Sequence, residues 1–273
     1  MLKKTSLYTS LAIAVISAFM LLSYAVLVYL PFTDGEALLL KHNPLLTTDT
    51  WAVFDTTTGD IQYGRNIKTV RPIASITKLF TAYMVLHTNG QSAETTITQG
   101  DVNTEGAFGR LKSGETLTLG SLMYPLLIES SNDAGTAIAR TFGPLYGEAV
   151  GWALSNLNLP DTRIVDGTGL SQEDVSSPRD LARFFALLKG TYPHITDITQ
   201  LRVYITNKRG LVNNNPGRAF SNFTGGKQGF TPEAGKTFVG SFILPKSNRE
   251  VGIVLLGSKD LGTDIERILL SLR

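Results

Sequence analysis

Within the stretch ASITKLFTAY, residues 74–83, two side chains could do chemistry together. Ile76, Leu79, Phe80 and Tyr83 recur at three- and four-residue spacing, which predicts a helix with one apolar stripe. Ser75 and Lys78 lie three apart and project from the same face of that helix. A hydroxyl beside an amine is a nucleophile beside a base, provided the amine gives up its proton. Lysine ordinarily titrates near 10.4, and burial or a neighbouring cation lowers that value. The apolar stripe therefore reads as a means of activating Lys78. Ser75 would sit in the first turn, where free backbone N–H groups and the positive dipole end favour a developing anion. Taken alone, the pair is more simply a capping serine and a lysine reaching for water. Its company decides the matter.

Two further pieces follow in order. Ser130-Ser131-Asn132, in LLIESSNDAGTAIAR, lies between two helical runs and by itself would read as a helix N-cap. Downstream, GGKQGFTPEAG brings Lys227 and Gly229. Lys112-Ser113-Gly114 and Lys208-Arg209-Gly210 also fit a bare Lys-x-Gly pattern, so position and flanking sequence select Lys227.

The elements that must carry these residues are of mixed type. WAVFDTTTGDIQYG reads as strand, turn, strand, with Gly59 in the turn. Helical patterns cover about 75–88, 119–128, 133–142, 145–157 and 178–189, the last with Ser177 as N-cap and Gly190 as C-cap. Strand patterns return at about 201–206, 236–244 and 250–257, with PKSNRE as a hairpin connection between the last two, before a final helix at about 262–272. Strands from both chain ends must then meet in one largely antiparallel sheet, with the helices between them in sequence: an α/β fold of the α+β kind.

Composition narrows the function classes. In 273 residues, 25 Lys plus Arg stand against 23 Asp plus Glu, with no basic stripe, so nucleic acid is not an expected partner. No cysteine is present, which excludes disulfides and thiolate metal sites. His42, His87 and His194 have no metal-ligand spacing, and neither metal nor cofactor is expected. Lys3 and Lys4 precede an uncharged run of 24 residues, Leu7 to Leu30, long enough to cross a bilayer. Tyr8, Tyr24 and Tyr29 near its ends suit the membrane interface, and the paired lysines should stay in the cytoplasm. The alternative is a long cleaved signal peptide. The expected organisation is a cytoplasmic stub and single-pass anchor at 1–30, a linker at 31–50 and an extracytoplasmic catalytic domain at 51–273.

The three pieces in this order resemble the serine penicillin-recognising enzymes, with their Ser-x-x-Lys, Ser-x-Asn and Lys-Thr-Gly signature. The resemblance is closest to the D-alanyl-D-alanine carboxypeptidases, the low-molecular-mass penicillin-binding proteins of the β-lactamase/D,D-peptidase-like fold. It extends to VFDTTTGDIQYGRN, to DVNTEGAFGRLKSGETLTLGSLMYPLLIESSNDA and to DGTGLSQEDVSSPRDLARF, covering about Trp51 to the C-terminus. It implies an antiparallel sheet flanked by helices with a helical subdomain, peptidoglycan stem peptide as substrate, and β-lactam antibiotics as covalent inhibitors. By the same resemblance Ser75 attacks the D-Ala-D-Ala peptide bond, Lys78 takes its proton and Ser130 passes one to the leaving amine. Asn132 would bind the substrate amide and help hold Lys78. Lys227 would lower the Lys78 pKa and attract the substrate carboxylate, and Gln228 and Gly229 complete that motif. The backbone N–H groups of Ser75 and Phe230 would form the oxyanion hole, and Asn214 has a weaker claim on the carboxylate. The chain departs from the pattern at Gln228, where the family has a hydroxyl residue, which puts recognition of a free C-terminus in question. Arg273 follows soon after the last helix, so the β-rich C-terminal domain of many relatives is expected to be absent. A D,D-endopeptidase, a β-lactamase and a non-catalytic wall-binding protein are the competing readings. The β-lactamase reading is weakened because no Glu-x-x-Leu-Asn lies between Ser130 and Lys227.

Overall fold

The structure, a computed structural model, describes residues 44–106, 110–206 and 209–272. The expected membrane span at 7–30 lies outside the described residues, as does most of the expected linker. Among the described residues no helix is long and apolar enough to cross a membrane.

In chain order the elements are β1 (Thr50–Asp55), β2 (Ile61–Arg65), β3 (Arg71–Pro72), α1 (Thr77–His87), β4 (Glu94–Thr96) and α2 (Gln99–Val102). Next come β5 (Thr116–Thr118), α3 (Leu119–Ile128), α4 (Asn132–Thr141), α5 (Tyr146–Leu154), β6 (Val175–Ser176), α6 (Pro178–Thr191) and α7 (Pro193–Gln200). The chain then runs through β7 (Val203–Ile205), β8 (Gly210–Val212), β9 (Phe223–Thr231), β10 (Gly235–Ile243), β11 (Glu250–Ser258) and α8 (Leu261–Ser271).

Five strands form one antiparallel sheet in the order β2-β1-β11-β10-β9. β1 pairs with β11, Trp51 opposite Leu255, so the two ends of the chain meet in the middle of the sheet as expected. Successive side chains alternate between its faces. Trp51, Val53, Phe238, Phe242, Ile253 and Leu255 pack with Leu261, Ile265 and Ile268 of α8. Ala52, Phe54, Val239, Val254 and Leu256 belong to a separate core on the other face, with residues of α1, α3, α4 and α6. Helices thus cover both faces, and β9 is left as an edge.

Two expectations need correction. Gly190 does not cap α6; it lies inside the helix, which runs to Thr191 because the stop is set by Pro193 two residues on. The predicted helix at 145–157 ends at Leu154. The end of the expected linker is fastened to the domain: the Thr47 backbone N–H and hydroxyl donate to buried Asp264 at 2.8 and 2.6 Å, and Arg267 donates to the Leu45 carbonyl.

Candidate active site

Ser75 sits in a 3-10 turn, Ala74–Ile76, that leads directly into α1. Ala74 has φ +48°, in the left-handed region, which costs a non-glycine residue about 1–2 kcal/mol. The surroundings hold it there. Ile73 N–H donates to the Asp174 carbonyl at 3.0 Å, and Thr237 Oγ1 donates to the Ile73 carbonyl at 2.9 Å. Gly169, with φ +84°, presses so closely that a Cβ on it would lie 2.0 Å from the Ala74 oxygen. On the other side a Cβ on Gly229 would lie 2.5 Å from the Ser75 nitrogen, so the glycine of the third motif is what lets β9 approach Ser75.

Lys78, one turn along, is fully buried. Its Nζ lies 2.9 Å from Ser75 Oγ, 2.7 Å from Asn132 Oδ1 and 2.6 Å from the Thr168 carbonyl oxygen. Two of these neighbours can only accept. A neutral amine has two N–H bonds and one lone pair, so donating to Asn132 and Thr168 turns the lone pair toward the Ser75 hydroxyl. Burial, and then the charge of Lys227, hold the Lys78 pKa well below the ordinary lysine value, while Asp166 and Asp174 pull it back upward. The lysine does not snorkel to water.

The second motif divides between its two serines the roles that the sequence left open. Ser131 is the N-cap of α4, its hydroxyl accepting from Ala134 N–H at 3.0 Å. Ser130 is free of that duty and has φ +61°. Among the described residues the non-glycine residues at positive φ are four asparagines together with Ala74, Arg110 and Ser130. Asparagine tolerates that region; alanine and serine there mark strain, and both adjoin the reactive groups. Lys227 Nζ donates to Ser130 Oγ at 2.8 Å and to the Gln228 carbonyl at 2.9 Å. Lys227 is 3% exposed, and burial lowers its pKa to about 7. Asn132 Nδ2 donates to the Glu105 carbonyl at 2.6 Å, which fixes its oxygen toward Lys78. Ser75, Lys78, Ser130, Asn132 and Lys227 therefore meet in one place from α1, the α3–α4 junction, the N-terminus of α4 and β9. The decoy Lys112 is exposed in a turn, and Lys208 lies outside the described residues.

Gln228 is placed differently. Lys227 pairs with Val239 and Gly229 with Thr237, whereas Gln228 pairs with Phe238, whose ring packs on the opposite face. The Gln228 amide donates to the Asn214 carbonyl at 3.0 Å. Strand alternation thus turns the side chain away from Lys227, and the expected contact with a substrate carboxylate gains no support from its position. Phe230 is 65% exposed on the edge strand beside this motif.

Sequence reasoning gave the 166–171 loop no role, although its backbone supplies one of the Lys78 partners. Asp166 accepts from Thr168 N–H at 2.6 Å, Thr168 Oγ1 at 2.9 Å, Gly169 N–H at 2.7 Å and Ser171 N–H at 2.7 Å. The signal was available in DGTGLS: an Asp two and three residues before a Thr and a Gly is a turn-forming pattern.

The sequence profile of the D-alanyl-D-alanine carboxypeptidase family matches residues 39–260. A D-alanyl-D-alanine endopeptidase of Pseudomonas aeruginosa is 32% identical over 203 residues, 68% of this chain and 64% of the relative, so the match spans somewhat less than two thirds of that protein. A D-alanyl-D-alanine carboxypeptidase of Mycobacterium tuberculosis is 28% identical over 222 residues, 77% of this chain and 72% of the relative. Penicillin-binding protein D2 of Listeria monocytogenes, solved with ampicillin bound, has the same fold, with a TM-score of 0.73 and 23% identity over 83% of this chain and 97% of that one.

Proposed function

The chain belongs to the D-alanyl-D-alanine carboxypeptidase family, and from that premise we propose that it is a serine D,D-peptidase trimming the terminal D-alanine from peptidoglycan stem peptides. The observation that carries this reading is the fully buried Lys78 amine, 2.9 Å from Ser75 Oγ with both its hydrogens engaged elsewhere. Ser75 Oγ attacks the carbonyl carbon of the scissile amide as its proton moves to Lys78 Nζ. The oxyanion that forms lies between the Ser75 backbone N–H and that of Phe230. The C–N bond then breaks, and the leaving nitrogen takes a proton from Ser130 Oγ, which is replenished through Lys227 and Lys78. Water attacks the acyl-enzyme, with Lys78 again taking the proton, and Ser75 is released. Lys227, protonated below about pH 7, attracts the substrate carboxylate, and Asn132 offers its second amide hydrogen to the substrate backbone. β-Lactams enter the same attack and leave a stable ester on Ser75. The fold shared with a protein solved with ampicillin bound supports that part of the reading.

A second reading is favoured by a specific observation. Gln228 replaces a hydroxyl residue and is turned toward Asn214, which weakens recognition of a free terminal carboxylate, and the relative from Pseudomonas aeruginosa is an endopeptidase. A D,D-endopeptidase cutting cross-links would use the same Ser75, Lys78 and Ser130. We place the enzyme outside the cytoplasm, held by residues 7–30, on the strength of the uncharged span and the lysines before it.

Labelling with a fluorescent penicillin, followed by mass analysis of pentapeptide monomers and cross-linked dimers incubated with the protein, tests both readings. Ser75→Ala should lose all label while keeping its fold. Lys78→Ala should acylate at least about a hundredfold more slowly, the scale of a positioned base. Undiminished labelling of Ser75→Ala would overturn the assignment. Release of free D-alanine from monomers supports carboxypeptidase action, and conversion of dimers without it supports the endopeptidase.

A further inference from the structure

We propose that Asp166 is a positioning residue for the Ser75–Lys78 pair, acting through the loop it folds; this rests on the catalytic reading above. The three backbone N–H groups and one hydroxyl that converge on its carboxylate come from Thr168, Gly169 and Ser171. Oδ1 takes three of these donors and Oδ2 one, and the Gly167 and Thr168 carbonyls are directed out of the loop toward α1. Two consecutive carbonyls then meet two donors one turn apart on α1. Thr81 Oγ1 donates to Gly167 O at 2.9 Å, and Lys78 Nζ donates to Thr168 O at 2.6 Å. Tyr146 OH lies 2.9 Å from Thr81 Oγ1 and backs the first of these.

The same loop reaches the nucleophile from behind. Gly169 follows Thr168 and lies against Ala74, the strained residue that sets the Ser75 turn. Gly167 lies close against α4, a Cβ there meeting Gly135 O at 2.5 Å, so the loop is wedged between the helix bearing Asn132 and the turn bearing Ser75. One carboxylate therefore determines both which way the Lys78 lone pair points and where Ser75 rests. Asp166 is itself mostly buried, and although burial raises its pKa, the hydrogen bonds from Thr168, Gly169 and Ser171 bring it below the ordinary carboxylate value. It makes no hydrogen bond to Ser75 or Lys78, and beyond the field that raises the Lys78 pKa its hold on the pair runs through the loop.

The part of its effect that runs through Lys78 vanishes once Lys78 is gone, while the part that runs through the Ser75 turn remains. The test is a double-mutant cycle in the full chain, with acylation by benzylpenicillin followed by mass spectrometry across a range of concentrations. Asp166→Asn keeps the size and one acceptor oxygen but presents an amide to donors that need a carboxylate. Its acylation rate constant should fall at least about tenfold, in the range expected for displacing a catalytic pair by a fraction of an ångström. The dissociation constant of the initial non-covalent complex should stay within about twofold, since that contact surface is untouched. On a Lys78→Ala background the same substitution should cost at least about threefold less than it does in the wild type. Thr168→Val, which removes the hydroxyl that donates to Asp166 and accepts from Leu170 N–H, should give a smaller loss of the same kind and serves if Asp166→Asn fails to fold. Asp166→Asn acylating at the wild-type rate would overturn the inference, as would a loss that persists at full size without Lys78. In either case, wild-type acylation at Ser75 leaves the catalytic reading standing. A wild-type protein that forms no adduct overturns that reading and the inference together.

Discussion

Gly169→Ala isolates the contact on which the position of Ser75 depends. The added Cβ would fall 2.0 Å from Ala74 O, 2.3 Å from Ala74 C and 3.0 Å from Ser75 N. Ordinary contact between such atoms is about 3.5 Å, so the loop and the Ser75 turn must separate by more than about 1 Å. Two penalties add: about 1–2 kcal/mol for a side chain at φ +84°, and about 1–3 kcal/mol for overpacking. A loss of about 2–5 kcal/mol lowers the melting temperature of a domain this size by about 4–20 °C. The kinetic effect should be larger than the structural one suggests, because a 1 Å misplacement of a reacting group costs on the order of a hundredfold in rate. Gly114→Ala is the matched control. Its φ is +86°, nearly the same, but a Cβ there meets nothing within 4 Å, so it should lose about 1–2 kcal/mol and acylate normally. Stopped-flow labelling with fluorescent penicillin and calorimetry on the two variants give the comparison. Acylation of Gly169→Ala within twofold of wild type would refute the argument that this loop sets the Ser75 turn.

Other outcomes follow from the same geometry. Asp174 is pushed up to about 8 by burial and then by the charge of Asp166, so the folded state holds a proton between about pH 4 and 8 that the unfolded chain releases. Stability from this group therefore falls as pH rises through that window, and the melting-temperature advantage of Asp174→Asn over wild type should widen from pH 5 to pH 9 in calorimetry; a constant difference would contradict it. Lys227 loses its charge above about pH 7, so KM for a peptide ending in a free carboxylate should rise above that pH while Lys227→Arg keeps it flat; steady-state assays across pH 6–9 decide this. A chain beginning at residue 44 should be released from the membrane fraction and still acylate. One beginning at residue 51 loses both Thr47 donors to buried Asp264 and should be less stable by about 3–5 kcal/mol, read from urea unfolding.

Much of the candidate site was legible because its members are side chains in ordered motifs. The apolar stripe around Lys78 announced its burial, and the second motif carried a spare serine beside the capping one. What stayed hidden was backbone. Thr168 contributes a carbonyl, and Gly169 and Gly229 contribute the lack of a side chain, none of which has a residue type that advertises chemistry. α7 was missed for a different reason. Its sequence PHITDITQ is rich in β-branched residues of modest helix propensity, and it forms because Ile195 and Ile198 are buried in the core beside β9. Gly190 misled because a glycine near a helix end reads as a stop, although the proline three residues later is the stronger one.

Gln228 shows how a linear motif and a strand differ. Read as a triplet, Lys-x-Gly invites three neighbouring residues to act on one ligand. Placed on β9, the first and third face Ser75 and Ser130, while the middle one is directed to the other face unless the edge of the sheet brings it round. A short hydroxyl at that position stays near the strand axis and can serve the groove from the edge. A glutamine is long enough to reach a partner of its own, and here it finds the Asn214 carbonyl. Gln228 therefore ties the Asn213–Asn215 loop to the edge strand, and on the proposed reading it would also withdraw a donor from the substrate side. Asn215 reinforces that tie by donating to Gly226 O at 2.9 Å, and Asn213 anchors the loop to Thr199 O and Leu201 O. On the proposed reading, recognition of a terminal carboxylate would fall to Lys227, whose own charge is marginal at neutral pH. On the proposed catalytic reading, such an arrangement would keep Ser75, Lys78 and Ser130 for acylation while relaxing the demand for a free C-terminus, and assaying stem-peptide monomers against cross-linked dimers separates trimming from cross-link cutting.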